Sequence, residues 1–519
     1  MEKKVLLGNE AIARGAYEAG CHVATAYPGT PSTEILEAVA RDFRDIKAQW
    51  SPNEKVALEV GAGACVAGAR VLVAMKHVGL NVAADPLFTF SYTGVNGGLV
   101  IINADDPGAW SSQNEQDNRH IARASKIPMI EPSSPAEAKE FTKLAFDLSE
   151  QYDRPMLVRI TTRIAHSQGI VELEEKKDVP LKEFVRNPQK FVMIPAHARP
   201  RHVFIEEQLV KLKEYSNTSG LNRIEWGNKK RGIITNGVAY QYVKETCPND
   251  SVLKIGMVWP LPDDMIREFA SQVDELYVVE ELDPFIEDYV KAMGIKCVGK
   301  DIIPLCGELT PEIVDLCLNK KEAPKAAEDY TNKPVPPRPP GLCKGCPHGF
   351  VFGVLKKLDL TVNGDIGCYT LGVLPPYSAM HTQGCMGASV SMHLGFEKAD
   401  PAFARKSVAV IGDSTFVHSG ITGLIDIVYN KGTGTVLILD NRVTAMTGAQ
   451  ENPATGVTLS GEETHELDLA MMAKACGVKR VVTVDPKDIE EFERVVKEEV
   501  AAEEPSVIIS LRRCILKKA

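Results

Sequence analysis

Two apolar runs near the C-terminal end of the chain finish in residues that could hold a divalent cation. Val408-Ala-Val-Ile-Gly-Asp-Ser414 ends in Gly412, Asp413 and Ser414, and Val436-Leu-Ile-Leu-Asp-Asn441 ends in Asp440 and Asn441. Each run reads as a buried strand, with a helix-like segment between them. Such a strand–helix–strand unit sets the carboxyl ends of two parallel strands side by side, where ligands bind in open α/β sheets. A hard cation that holds a diphosphate needs oxygen ligands. Asp413, Asn441 and the backbone carbonyl of Val443 are therefore the candidate metal ligands, with Gly412, Ser414 and Thr444 as further candidate cofactor contacts. Asp and Asn at strand ends also serve ordinary turn chemistry. The joint spacing of the two runs is what favours the metal.

That spacing matches the GD(G/S)…(N/D)N signature of thiamine diphosphate enzymes. Such an enzyme needs a glutamate that protonates the aminopyrimidine ring. Glu54-Lys-Val-Ala-Leu-Glu59-Val-Gly-Ala-Gly-Ala offers two. Glu59, directly before the Gly/Ala run that would let a ring approach the backbone, is the better placed; a solvated helix face is the ordinary reading for both. Tyr27-Pro-Gly-Thr-Pro-Ser-Thr33 follows a strand and leads into a helix, so its hydroxyls and free N–H groups suit a carboxylate. Met75-Lys-His-Val-Gly-Leu-Asn81 also ends a strand. Lys76 and His77 could hold or protonate a substrate there, and a structural histidine fits equally well.

Twelve cysteines are many for a protein with no secretory start, because structural disulfides are rare in reducing compartments. Cys343-Lys-Gly-Cys346 is a CxxC that could be a zinc knuckle, a redox pair or half a cluster site. A four-thiolate site needs two more ligands. Cys368, in Gly364-Asp-Ile-Gly-Cys-Tyr369, and Cys514, after the last strand, are best placed; Cys385 and Cys476 compete. Cys476 lies in an apolar helix pattern and reads as packing. Cys21, Cys65, Cys247, Cys297, Cys306 and Cys317 lack paired spacing and read as structural thiols.

These residues must be positioned by sheets. The chain has 519 residues, enough for roughly three domains. A net charge of −10 argues against non-specific nucleic-acid binding. No run of about 20 apolar residues predicts a membrane span, and Met1-Glu-Lys-Lys-Val lacks a signal-peptide core, so a cytoplasmic protein is expected. Helical and strand patterns alternate over residues 1–175, which predicts a doubly wound parallel sheet. Its elements include a helix from Asn9, strands at His22–Tyr27, Val71–Met75, Leu99–Asn103 and Met156–Ile160, and a helix from Ser32. A charged connector, 176–229, carries a helix near Ile205–Tyr215. A smaller α/β domain spans 230–322, with strands at Gly232–Asn236, Val252–Met257 and Glu275–Glu280. A Pro-rich linker follows at 323–340, and a last α/β domain covers 341–519.

The motifs YPGTPSTE, MKHVGLNVAADPL, CxGCPH, GDIGCYTLG, GDSTFxHSG and LDNRVTAMTGAQ occur in the order found in the 2-oxoacid:ferredoxin oxidoreductases. The chain resembles that family over most of its length, and within it the α subunits of the indolepyruvate branch. The resemblance implies thiamine diphosphate, Mg2+ and a [4Fe-4S] cluster, with coenzyme A as co-substrate. It implies oxidative decarboxylation of aryl 2-oxoacids to arylacetyl-CoA and CO2, with electrons passing to ferredoxin or a similar acceptor. Residues 1–175 become the pyrimidine-binding domain, 230–322 a domain like the C-terminal part of transketolase, and 341–519 the diphosphate-binding domain. Carried over by motif, Glu59 is the pyrimidine-activating glutamate, Thr30 the substrate-side threonine, Asp413 and Asn441 the metal ligands, and Cys343, Cys346, Cys368 and Cys514 the cluster ligands. His77 is a further catalytic candidate. A smaller β subunit, an electron-carrier partner and a hetero-oligomer such as α2β2 are implied. Such α subunits usually continue into a ferredoxin-like tail with two further clusters, and no CxxCxxC…CP run occurs in this sequence. Either the electron exit is therefore expected on another subunit, or the chain is a shortened variant. A non-oxidative thiamine-dependent decarboxylase or ligase would share the metal motif but needs no cluster.

Overall fold

The computed structural model describes residues 2–321 and 340–517. It divides into two compact units, residues 1–332 and 333–519. The expected linker at 323–340 lies outside the described residues, Pro340 excepted.

The first unit carries a seven-stranded sheet in the order Met257–Trp259, Met129–Ile130, Met156–Thr161, Leu99–Asp105, Val71–Lys76, Val23–Ala26, Lys47–Trp50. All neighbours pair in parallel except Met257–Trp259, which runs antiparallel along the Met129–Ile130 edge. Leu99–Asp105 and Met156–Thr161 are buried at every position. Helices cover both faces of such strands, so they read in the sequence as unbroken apolar runs. A pair the sequence pattern did not show, Lys3–Leu7 with Gln168–Glu172, runs antiparallel beside this sheet. Its apolar residues, Val5, Leu6, Leu7, Ile170 and Val171, follow no strict alternation, and only Leu6 and Val171 are buried. The connector helix is Pro195–Thr218, about twice the expected length, because its charged first half continues the helix without an apolar stripe.

A second, four-stranded sheet has the order Glu275–Val279, Asn228–Asn236, Asp250–Ile255, Arg223–Glu225. The expected strand Val252–Met257 is in fact split. Asp250–Ile255 stays in the small sheet, and Met257–Trp259 joins the large one. Gly256 makes the break: a Cβ there would stand 2.5 Å from the Leu221 carbonyl oxygen. The N–H groups of Gly256 and Met257 both donate to Asn222 Oδ1, at 2.7 and 2.9 Å. The two sheets are thus joined through Gly256.

Buried charge joins them further. Arg159 pairs with Asp105 at 2.7 Å and with Glu131 at 2.5 Å. Asn236, from the small sheet, donates to the other Glu131 oxygen at 2.6 Å. Arg119 pairs with Asp117 and with Glu280 across the same boundary, and donates to the Glu281 carbonyl at 3.0 Å. Arg119 and Glu280 are fully buried, so neither charge can turn to water.

The second unit is a six-stranded, all-parallel sheet in the order Thr382–Gln383, Thr361–Gly364, Ser407–Gly412, Thr435–Asp440, Ser506–Leu511, Arg480–Val484. Apolar clusters pack on its faces, one around Val408, Val410, Leu437 and Leu439, the other around Ala409, Ile411, Val436 and Ile438. The alternation of consecutive residues between the two clusters is the period-2 geometry of a strand buried on both sides. No described helix is long and apolar enough to cross a membrane.

Arg119→Met should lower the stability of the first unit by about 3–5 kcal/mol, because it removes the buried cation partner of Glu280 and leaves Asp117 only the more distant Arg159. Urea unfolding followed by a probe in residues 1–332 measures this. A loss under about 1 kcal/mol would show that the network is not what joins the sheets.

Candidate active site

In the second unit, the strands Ser407–Gly412 and Thr435–Asp440 lie side by side. Their ends bring Asp413 and the Asn441–Thr444 segment together. Asp413 is buried, and burial lifts its carboxyl to about 7, with the nearby Asp440 carboxylate adding to the rise. The Ser414 and Val443 N–H groups and Asn452 oppose that rise. Asn452 Nδ2 stands 3.4 Å from Asp413 Oδ2 and 3.4 Å from Thr444 Oγ1. Asn441 Oδ1 accepts from the Val443 N–H at 3.2 Å, and its amide nitrogen faces His348 Nε2 at 3.3 Å. Arg442 turns the chain here with a φ of 60° and pairs with Asp440 at 3.2 Å. The left-handed turn lets Asn441 and Val443 face the same place. Gly412 is needed where it stands: a Cβ would fall 2.7 Å from the Tyr369 ring.

The sequence reading overlooked three buried groups of this end. His348, in the CxGCPH motif, is pushed down to about 4 by burial, so its ring is neutral. Asp365 accepts from the backbone N–H groups of Ile366, Gly387 and Ser389 at 2.8–2.9 Å, and so fixes the turn that carries Cys368. Asn452 sits outside the strand–turn signature that located Asp413, which is why spacing did not find it.

The CxxC, Cys368 and Cys514 converge. Cys343 and Cys346 close a turn in which the Cys346 N–H donates to the Cys343 carbonyl at 2.9 Å. Cys368 opens a short 3-10 helix, Cys368–Val373. Cys514 follows the strand Ser506–Leu511, and its N–H donates to the Asn441 carbonyl at 3.0 Å, tying it to the metal-end loop. Burial pushes the Cys368 thiol up to about 11, and Cys346, Cys514 and Cys343 each add to the rise. Cys346 is raised by burial and by Cys343 and Cys514. Cys476 caps the helix Leu469–Ala475 and packs beside apolar residues.

In the first unit the structure corrects the choice of glutamate. The helix Glu54–Val66 is capped by Asn53, whose side chain accepts from the Val56 N–H at 2.8 Å. Glu59 lies on the outer face of that helix, 41% exposed, paired with Lys55 one turn back. Glu54 occupies the first turn and is 4% exposed. Its carboxylate lies against Gly79, where a Cβ would stand 2.6 Å from Oε1. Helical period explains the error: the Gly/Ala run follows Glu59 in sequence, but five residues from Glu54 turn the helix by about 500°, onto another face. Glu54 is the buried acid.

Lys76 ends its strand beside the same turn. Its side-chain carbons run 3.3–3.5 Å from the position of a Cβ on Gly29, and Nζ donates to the Ser111 carbonyl at 2.9 Å. Burial lowers it to about 8, against the pull of Asp106 and Glu54. Thr30 is half-buried, and its carbonyl accepts from Ser111 Oγ at 3.4 Å. His77, a catalytic candidate by sequence, is instead completely buried. Its Nε2 faces the Asn114 carbonyl at 3.1 Å, and burial lowers its affinity for a proton. It holds the loop after Asp106 and has no face toward a ligand.

Comparison with known proteins places the family of the chain. Residues 14–220 match the family described as pyruvate flavodoxin/ferredoxin oxidoreductase, thiamine diP-bdg, and residues 365–510 match thiamine pyrophosphate enzyme, C-terminal TPP binding domain. The indolepyruvate oxidoreductase subunit IorA of Archaeoglobus fulgidus is 42% identical, across 99% of this chain and 87% of its own length. The same subunit of Pyrococcus horikoshii is 41% identical, across 99% and 86%. The 2-oxoglutarate synthase subunit KorA of Archaeoglobus fulgidus is 24% identical across 54% of this chain. A solved 2-oxoglutarate:ferredoxin oxidoreductase from Magnetococcus marinus, with 2-oxoglutarate, coenzyme A and succinyl-CoA bound, is similar in fold at a TM-score of 0.52 and 17% identity, covering 61% of this chain and 65% of that one. With near full-length identity above 40% to IorA subunits, the chain belongs to the thiamine-diphosphate-dependent 2-oxoacid:ferredoxin oxidoreductase family.

Proposed function

We propose that this chain is the thiamine-binding subunit of an enzyme that oxidatively decarboxylates aryl 2-oxoacids in the presence of coenzyme A. The observation that supports this most is the grouping of four thiols from three separate segments beside the loop of a buried carboxylate, Asp413. The donor chemistry fits the implied groups. Asp413, Asn441 and the Val443 carbonyl would hold Mg2+, and Gly412, Ser414 and Thr444 would line the diphosphate. Cys343, Cys346, Cys368 and Cys514 would each bind one iron of a [4Fe-4S] cluster, whose thiolates sit farther apart than those of a single zinc. When bound, thiamine diphosphate would supply the electron sink for loss of CO2 and the cluster a one-electron exit.

The chain's own residues supply positioning and proton control. Glu54 would hold and move a proton at the aminopyrimidine ring. Its burial keeps water from competing for that proton. Thr30 would lie on the substrate side, and His77 would orient the Asp106–Asn118 loop through the Asn114 carbonyl. Asn452 and His348 would steady the side chains of Asp413 and Asn441. A smaller β subunit and a ferredoxin-like acceptor would complete the enzyme.

Enzyme purified without oxygen should reduce viologen with phenylpyruvate or indolepyruvate only when coenzyme A is present. Iron should be near four atoms per chain. Cys368→Ser should lose both iron and viologen reduction while still binding thiamine diphosphate. Zinc in place of iron, or decarboxylation without any electron transfer, would contradict the proposal.

The metal end carries its own test. Burial raises Asp413 from 3.8 to about 7, so its ionised form costs stability in metal-free protein. The cost is absent below about pH 4 and grows until about pH 7. In the presence of chelator, Asp413→Asn should therefore stabilise the protein increasingly over that window, by roughly 2–4 kcal/mol at pH 8. The same variant should fail to bind Mg2+ and thiamine diphosphate. A stability difference that does not change with pH would place the metal elsewhere.

A further inference from the structure

Among the described residues of the first unit, Trp110 is the most exposed large aromatic, at 71%. Such exposure has a cost unless something covers the ring. The loop that carries it is not loose. Asp106 Oδ2 accepts from the Ser111 N–H at 2.9 Å and from Ser112 Oγ at 2.6 Å, and Asp106 Oδ1 accepts from Thr162 Oγ1 at 2.6 Å. Glu115 accepts from the N–H groups of Gly108 and Gly307, which ties the loop to the small-sheet part of the unit. Asn114 is held by His77, and Gln116 accepts from Asn81 at 3.0 Å. Gly108 and Ala109 have φ values of 85° and 49°. The left-handed turn throws the next side chain outward, and the indole folds back over Gly108, where a Cβ would stand 2.9 Å from Nε1. This is a ring presented on a rigid mount, which binds a partner with little further loss of conformational freedom.

The residue after Trp110 is Ser111, the one that accepts from Lys76 Nζ and donates to the Thr30 carbonyl. A cation, a threonine turn and an exposed aromatic are therefore joined through one residue. An ammonium has three donors, and Ser111 takes one. Asp106 is bonded within the loop and to Thr162, and it acts on Lys76 through its field. Glu54 also acts on Lys76 through its field.

We infer that Lys76 and Trp110 are the substrate-recognition pair: Lys76 takes the carboxylate of the 2-oxoacid, and the Trp110 indole packs on its aryl group. This rests on the proposed 2-oxoacid activity and adds the residues that select the substrate class. Aromatic side chains suit an aryl ring by stacking, and an aliphatic chain of similar length gains less from that face. The division of roles is separable, because every 2-oxoacid has the carboxylate and only some have the ring.

The test uses the assembled, cofactor-loaded enzyme. Calorimetry measures the affinity for phenylpyruvate, and viologen reduction measures the ratio of kcat/KM for phenylpyruvate over 2-oxobutyrate. Trp110→Ala should weaken phenylpyruvate binding and lower that ratio, each about tenfold or more, and Trp110→Phe should restore both to within about threefold. Lys76→Met should weaken both substrates alike, and so leave the ratio in place. Unchanged phenylpyruvate affinity in Trp110→Ala overturns the inference. Loss of the partner subunit in that variant, seen by size exclusion, assigns the indole to an interface and also overturns it. If the wild-type enzyme binds phenylpyruvate through Trp110 but reduces no viologen, the recognition pair stands and the proposed activity fails. An active wild type with an unchanged ratio in Trp110→Ala sinks this inference alone.

Discussion

The structure is organised by the cost of burying charge at the carboxyl ends of parallel strands. An ionised group loses several kcal/mol of solvation there unless a partner replaces water. Most buried acids of this chain have one. Asp105 and Glu131 meet Arg159, and Asp117 and Glu280 meet Arg119. Those pairs join the two sheets of the first unit into one body. Asp413 is the contrast. Its neighbours include amide groups and a second carboxylate, Asp440, and burial raises its carboxyl to about 7, whereas Arg119 helps hold Asp117 well below the usual carboxylate range. Oxygen donors of this kind suit a hard cation. The same distinction separates the glutamates of the helix Glu54–Val66: Glu59 has water and Lys55, while Glu54 is enclosed.

Much of this was legible in the sequence, for definable reasons. Strands buried on both faces are written as unbroken apolar runs, so Leu99–Asp105, Ser407–Gly412 and Thr435–Asp440 could be placed to within two residues. Asp413 and Asn441 are local to those strand ends, so spacing alone suggests that they lie together. Cys514 stands far from Cys343 in sequence, and only the end of the last parallel strand, at the same sheet edge, suggests it.

What failed did so where three-dimensional facing decides. Glu59 sits beside the Gly/Ala run in the sequence, yet helical rotation turns it to solvent. His77 shares a motif with Lys76, but one residue of strand-to-helix geometry points it inward against Asn114. Asn452 and Asp365 act through contacts with groups 39 and 22 residues away, and no local pattern encodes them. The antiparallel pair Lys3–Leu7 and Gln168–Glu172 is short and mostly exposed, and its apolar residues follow no strict alternation.

The central claim is that the enclosed carboxylate, Glu54, controls the cofactor's proton, and that the exposed Glu59 does not. The most direct measurement is the rate of hydrogen–deuterium exchange at the thiazolium C2 of enzyme-bound thiamine diphosphate, quenched and read by NMR. Glu54→Gln should slow this exchange by about 10²-fold or more, the scale of losing a positioned proton-transfer group. Glu59→Gln should leave it within about twofold of wild type, since its carboxylate already lies in water. Slow exchange in Glu59→Gln with normal exchange in Glu54→Gln would contradict the account.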